Sequence, residues 1–162
     1  MIELYTDGAS SGNPGPGGYG TILRSGKHYK ELSAGYRKTT NNRMELMAVI
    51  VGLEAIKREK QEVLVYSDSK YVVDSVEKKW VFGWVKNSFR DKKNKDLWLR
   101  LLDAYSKHTV KFIWIKGHAS HLENERCDEL AVKASKEKEK DLLIDVVYEE
   151  ESRKNKANLF EK

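Results

Sequence analysis

Asp7, Glu45, Asp68 and Asp128 are the acids whose positions point to chemistry. Asp7 follows the alternating run IELYT and Asp68 follows EVLVYS, so each is expected to close a strand. If those strands are parallel neighbours, both carboxylates leave the sheet at the same end, where open α/β folds place their ligands. Glu45 stands near the start of a run that is otherwise apolar nearly all round a helix, and a charge there needs a partner or a metal. Asp128, in NERCDELA, lies early in a final helix beside Leu130 and Ala131. Any one of these acids alone reads as a cap or a turn residue. Together they would repel one another and retain protons at neutral pH unless a divalent ion joined them. Magnesium suits such a set, because it takes oxygen ligands, keeps waters and pairs with substrate phosphates. Two such ions about 4 Å apart can activate a water on one side of a phosphodiester and stabilise the leaving oxygen on the other.

A second group points toward phosphates. Between Lys78 and Lys95 there are seven Lys or Arg residues and one acid, Asp91, so this segment carries +6 of a chain whose net charge is +5. Trp80, Phe82, Trp84 and Phe89 are interleaved with the cations. Cations displace counterions from a nucleic-acid backbone while flat rings stack on bases or riboses. The plainer reading of the segment is a solvated helix whose tryptophans face the core.

The elements that must carry these residues follow from turn and periodicity signals. IELYTDG, YGTILRSG and HYKELSAGY read as an antiparallel meander closed by glycine turns. Asn42 with Glu45 three residues later reads as a capping box, opening a buried helix from about Arg43 to Lys57. EVLVYSD reads as a buried strand, KYVVDSVEK and DLWLRLLDAYSKH as helices, VKFIWIK as a last strand, and LENERCDELAVKASKEKEK as the closing helix. This order predicts an α/β fold, a five-stranded mixed sheet made of an antiparallel meander plus two parallel strands and flanked by helices. The domain is expected over residues 1–148, with residues 149–162 a polar, flexible tail. GPGGYG, residues 15–20, matches G-x-G-x-x-G, yet a strand follows it rather than a helix, so a glycine-rich turn between strands is expected in place of a dinucleotide site.

Composition narrows the classes further. At 162 residues and 40% apolar content, the chain is long enough to bury one core unaided. The run from Met44 to Ile56 is interrupted by Glu45, Gly52 and Glu54, so no membrane span is expected. MIELYTDG lacks the features of a signal peptide, and the single Cys127 has no disulfide partner within the chain, which points to the cytoplasm. No exposed apolar seam is evident, and a monomer is expected.

The words YTDGASSGNPGPGGYG, TTNNRMELMA, YSDSKYV, KGHASH and NERCDELA resemble the motifs of the cellular type 1 ribonuclease H family, in order and over roughly residues 1–148. The resemblance implies a magnesium-dependent endonuclease, with manganese as an alternative ion, that cuts the RNA strand of an RNA/DNA hybrid and leaves 5′-phosphate and 3′-hydroxyl ends. It implies that Asp7, Glu45, Asp68 and Asp128 are the metal-binding and catalytic carboxylates, and that His118 is a mobile loop histidine assisting proton transfer or product release; in a two-ion site Asp7 is expected to bridge, with Glu45 and Asp128 flanking and Asp68 supporting the ion that activates water. Gly8, Ser10, Gly12, Asn13, Asn41 and Asn42 would meet the minor groove, where 2′-hydroxyls separate RNA from DNA. Thr40 would help hold a DNA phosphate. Residues 78–95 would be the family's basic handle, with Trp80, Trp84, Lys86 and Asn94 against the DNA backbone. Lys70 stands where the enterobacterial relative has glutamine, and the handle is a few residues shorter. KANLF, at residues 156–160, faintly resembles a sliding-clamp peptide, with Lys156 in place of its leading glutamine.

Three other classes compete. A hybrid-binding module without catalysis would gain nothing from four acids facing phosphate. A resolvase or transposase could share the fold, though it has no need of asparagine-rich words that read 2′-hydroxyls. A zinc site from His118, His121 and Cys127 has three candidate ligands, two of them in a loop.

Overall fold

The computed structural model describes residues 1–117 and 121–160. Three strands come first: β1 (Ile2–Ser10), β2 (Gly15–Ser25) and β3 (His28–Thr39). They are followed by α1 (Asn41–Glu54), β4 (Glu62–Ser67), α2 (Lys70–Glu77), α3 (Trp80–Lys86), α4 (Lys95–Tyr105) and β5 (Thr109–Trp114). The chain closes with α5 (Leu122–Ser135), a short 3-10 turn and α6 (Val146–Phe160). The sheet order is β3-β2-β1-β4-β5, with the β1–β2 and β2–β3 pairs antiparallel and the β1–β4 and β4–β5 pairs parallel. This is the expected five-stranded mixed sheet.

Successive residues of β1 face opposite sides of the sheet. Leu4 joins the core made with α1, α2 and α4, where Met44, Leu46, Ile50, Val65, Val72, Trp98 and Leu101 are fully or almost fully buried. Tyr5 joins a smaller cluster with Ile22, Cys127 and Leu130 under α5. Helices therefore cover both faces, and α1 is buried on nearly its whole circumference, as its sequence required.

Several details depart from the sequence reading. The stretch from Gly15 to Gly20 is part of β2 rather than a turn, and β1 runs on past Gly8 to pair Ala9 with Gly18 and Ser10 with Gly17. The reason is contact with α5. A Cβ on Gly20 would lie 2.2 Å from the Cys127 carbonyl oxygen, on Gly18 2.4 Å from that of Ala131, and on Gly35 2.0 Å from that of Ala134. The helix backbone thus rests directly on a trench in the sheet that only glycine leaves open. Gly20→Ala is expected to lower stability by about 3 kcal/mol through overpacking, read as a shift in the urea midpoint.

The cap of α1 is Thr40, whose hydroxyl accepts the Arg43 amide, so Asn42 and Glu45 form no capping box and Glu45 is left for the site. The helix stops at Glu54 instead of Lys57. The segment from Lys70 breaks into α2 and α3 at Lys79, which adopts a left-handed conformation, as do Ser88, Phe89, Asp91 and Asn94 in the loop beyond α3.

Residues 149–160, part of the segment expected to be a polar tail, belong to helix α6, which is anchored at its start. Arg37 donates two hydrogen bonds to Glu149, and Asp145 accepts from Thr39 and Arg43. The KANLF segment is the end of α6, and the side chains of Leu159 and Phe160 lie outside the described residues.

Candidate active site

The β1–β4 pairing sets the site. The last paired residues are Tyr5 and Tyr66, so Asp7 and Asp68 each stand two residues beyond the end of the same parallel ladder. Asp7 is still within β1, opposite Gly20 of β2. Asp68 lies in the turn between β4 and α2. Glu45 arrives from α1 because Gly8 lets that helix come close: a Cβ on Gly8 would sit 2.4 Å from the Glu45 amide nitrogen. The Gly8 amide donates to Glu45 Oε1 at 2.8 Å and to Asp7 Oδ1 at 3.0 Å.

Carboxylate oxygens of Asp7, Glu45 and Asp68 all lie within 4.8 Å of one another, and among the described residues this is the group suited to hold a metal ion. Asp128, half-buried on α5, adjoins Asp7 and acts on its ionisation. Burial raises the Asp7 carboxyl well above the usual range, the Asp68 charge adds to this, and Asp128 adds further, while a hydrogen bond with Glu45 opposes it. Glu45 is raised for the same reasons, burial first and then the charges of Asp7 and Asp68, with the Gly8 amide opposing.

Glu45 Oε2 is buried with no hydrogen-bond partner. An orphaned carboxylate oxygen inside a cluster of like charges is stable only if protonated or bound to a cation. The residues present therefore fit a divalent ion.

A prediction follows from these shifts. Groups whose folded pKa is raised favour the metal-free folded state only at low pH, and that contribution is lost as pH rises from the ordinary carboxylate range through the raised value. A divalent cation binds the ionised acids and removes the penalty. Magnesium at about ten times its Kd is expected to raise Tm by about 3 °C near pH 8 and by less near pH 5, measured by thermal denaturation with and without chelator.

Beside the carboxylates, the loop after β1 is tied to the start of α1. The Ser10 hydroxyl donates to the Gly12 carbonyl at 2.6 Å and lies 3.0 Å from Asn41 Oδ1, and the Asn41 backbone amide donates to Asn13 Oδ1 at 3.2 Å. Ser10, Gly12, Asn13, Thr40 and Asn41 thus form one rim. A groove of about 600 Å3 brings Asn42, Trp80, Trp84 and Asn94 together with Tyr71 and Lys92. Trp80 is 49% exposed, whereas Trp84 is half-buried, lining the groove while packing edge-on against the buried Trp98. The Lys92 ammonium lies 5.1 Å from the centre of the Trp84 ring. Lys86 is exposed at the end of α3 and does not line this groove.

Lys70 opens α2 with its ammonium 4.8 Å from the centre of the Trp114 ring, and Trp114 Nε1 donates to the Asp68 carbonyl. Gly117 borders Asp68, but His118 lies outside the described residues. Cys127 is fully buried, its thiol donating to the Tyr5 carbonyl and pushed upward by burial, which removes it from any zinc site with the exposed His121.

Sequence reasoning did not single out Tyr71, Trp114 or Arg43. Arg43 carried a usable signal, since a cation two residues before Glu45 on an apolar helix needs buried partners. Tyr71 is placed by its hydroxyl, which accepts from Trp98 Nε1 and Asn94 Nδ2, a contact across the fold that local pattern does not encode.

The family model for ribonuclease H matches residues 1–136, which contain all four acids. The chain belongs to the ribonuclease H family. Ribonuclease H of Desulforamulus reducens is 58% identical over 141 residues, covering 84% of this chain and 88% of its own. That of Trichodesmium erythraeum is 58% identical over 153 residues, covering 91% and 96%. Among solved structures, LC9-RNase H1 matches with a TM-score of 0.74 at 33% identity, over 83% of this chain and 71% of that one. LC11-RNase H1, solved in complex with an RNA/DNA hybrid, matches with a TM-score of 0.64 at 28% identity, over 83% and 96%. The protein is a ribonuclease H enzyme, and no described helix is long and apolar enough to cross a membrane.

Proposed function

We propose that this ribonuclease H binds an RNA/DNA hybrid in the groove between the handle and the start of α1, and hydrolyses the RNA strand at the cluster of Asp7, Glu45, Asp68 and Asp128. The observation that carries this reading is the orphaned Glu45 oxygen within a triad of buried and half-buried acids, next to a polar and aromatic groove. Magnesium is the fitting ion, since the ligands are all oxygen. Two such ions, bound with substrate, would supply an activated water on one side of the phosphorus and charge stabilisation of the leaving oxygen on the other.

The chain's own residues have separate tasks. The four carboxylates hold the cations and confine negative charge to the end of the β1–β4 ladder. The Gly8 amide orients Asp7 and Glu45 by donating to both. Asn13, Asn41 and Asn42 offer amides to 2′-hydroxyls, which only the RNA strand possesses. Thr40 meets a DNA phosphate, and Trp80, Trp84 and the handle lysines track the DNA backbone. His118 assists proton transfer or product release. The water oxygen bonds to phosphorus, the bond from phosphorus to the 3′-oxygen breaks, and that oxygen takes up a proton, which yields 5′-phosphate and 3′-hydroxyl ends. Such an activity in the cytoplasm would remove RNA primers and RNA paired to chromosomal DNA.

End-group analysis tests the chemistry. Product RNA ends should accept a radioactive phosphate from polynucleotide kinase only after phosphatase treatment. Ends labelled without phosphatase, together with 3′-phosphates or cyclic phosphates, would refute hydrolysis in this direction.

A further inference from the structure

Helix α6 lies beyond the residues matched by the family model and none of its side chains belongs to the carboxylate cluster. Tyr148, Ser152, Asn155 and Lys156 recur at helical spacing on one face of it and line a groove of about 480 Å3. The opposite wall of that groove carries Asn13, Thr40 and Asn94. The position of α6 is built by groups other than these four. Glu149 holds Arg37, Asp145 holds Thr39 and Arg43, and the Leu143 backbone exchanges hydrogen bonds with Gly35 and Arg37.

The face is suited to a nucleic-acid backbone. Two hydroxyls, an amide and an ammonium are the donors that commonly meet phosphate and sugar oxygens. Lys93 adds a second cation across the groove, and Glu151 is the one acid lining it near Lys156. We infer that α6 is the outer wall of the nucleic-acid track, its donors engaging the sugar-phosphate backbone of the DNA strand next to the phosphate met by Thr40. This rests on the reading of the hybrid groove above and extends it by one helix.

The test measures kcat, KM and the salt dependence of hybrid binding for the native protein, the triple variant Ser152→Ala, Asn155→Ala, Lys156→Ala, and Glu151→Gln. The triple variant should raise KM about tenfold with kcat changed by less than about twofold, and should flatten the slope of log K against log salt by about one. Glu151→Gln should lower KM about twofold, because it removes an anion facing phosphate. Neither variant touches the anchors of α6, so Tm and the circular dichroism spectrum should stay native. An uncharged methylphosphonate in the DNA strand should cost the native protein affinity and cost the triple variant less. A native-like KM and salt slope in a folded triple variant overturn the inference, as does a loss confined to kcat. Coupling to the RNA strand alone overturns the strand assignment. If the native protein neither binds nor cuts hybrid, the proposed function itself fails, whereas native cleavage with an unaffected triple variant removes only the wall.

Discussion

Asp7→Asn is expected to lower hybrid cleavage by at least about a thousandfold while making the metal-free protein more stable. The amide keeps the shape of the side chain and an oxygen that can still accept the Gly8 amide, so the fold loses nothing at β1. What it removes is a charge that burial and the neighbouring Asp68 and Asp128 disfavour. Taking one anion from a buried triad relieves repulsion on Glu45, whose own carboxyl is held well above its usual range by burial and by Asp7. Near pH 8 the gain should be about 2 kcal/mol without metal, read from urea midpoints, and it should shrink toward pH 5, below the raised Asp7 value of about 7. Loss of a carboxylate that holds metal removes transition-state stabilisation, so the effect should fall on kcat with hybrid affinity nearly retained. A variant that is inactive and less stable would indicate that Asp7 serves the fold instead.

Arg43→Ala is expected to lower stability by about 3–5 kcal/mol. The guanidinium is buried and makes paired hydrogen bonds to two carboxylates: 2.9 and 2.7 Å to Asp96 at the start of α4, and 2.7 and 2.9 Å to Asp145 before α6. Burial alone would raise Asp96, but hydrogen bonds from Arg43 more than offset it and hold that carboxyl below its usual range. The stability this supplies is present above the ordinary aspartate pKa and is lost as pH falls through the lowered folded value. Removing the cation leaves Asp145 buried and uncompensated, frees the start of α6 and loosens the entry to α4. Arg43→Lys should rescue little, because an ammonium cannot engage both carboxylates through paired bonds. Urea denaturation followed by circular dichroism gives the magnitude.

The parallel relation of β1 and β4 was legible, since two strands each ending in aspartate around a buried helix leave few topologies. Glu45 was legible because an acid near the start of a helix apolar nearly all round needs a partner or a cation. Those signals are local in the chain. Gly18 and Gly20 of β2 were misread because their cause is the carbonyls of α5, more than a hundred residues away, and a strand rich in glycine looks like a turn to any local rule. The cap was displaced to Thr40 since four consecutive residues, Thr39 to Asn42, all have capping side chains, and tertiary contacts choose among them. Helix α6 was illegible for a related reason. Its composition is polar, and what orders it is the pairing of Asp145 and Glu149 with arginines on α1 and β3. Trp80 and Trp84 show the same limit: local pattern does not tell how far each ring is exposed, and packing leaves Trp80 largely exposed and Trp84 half-buried against Trp98.

The most direct measurement is cleavage of an end-labelled RNA/DNA hybrid beside RNA duplex, DNA duplex and single strands, with magnesium, with manganese and with chelator. The expected result is cutting of the RNA strand of the hybrid alone, in the presence of either ion and not with chelator. Tight binding of the hybrid with no cutting under either ion would contradict the central claim.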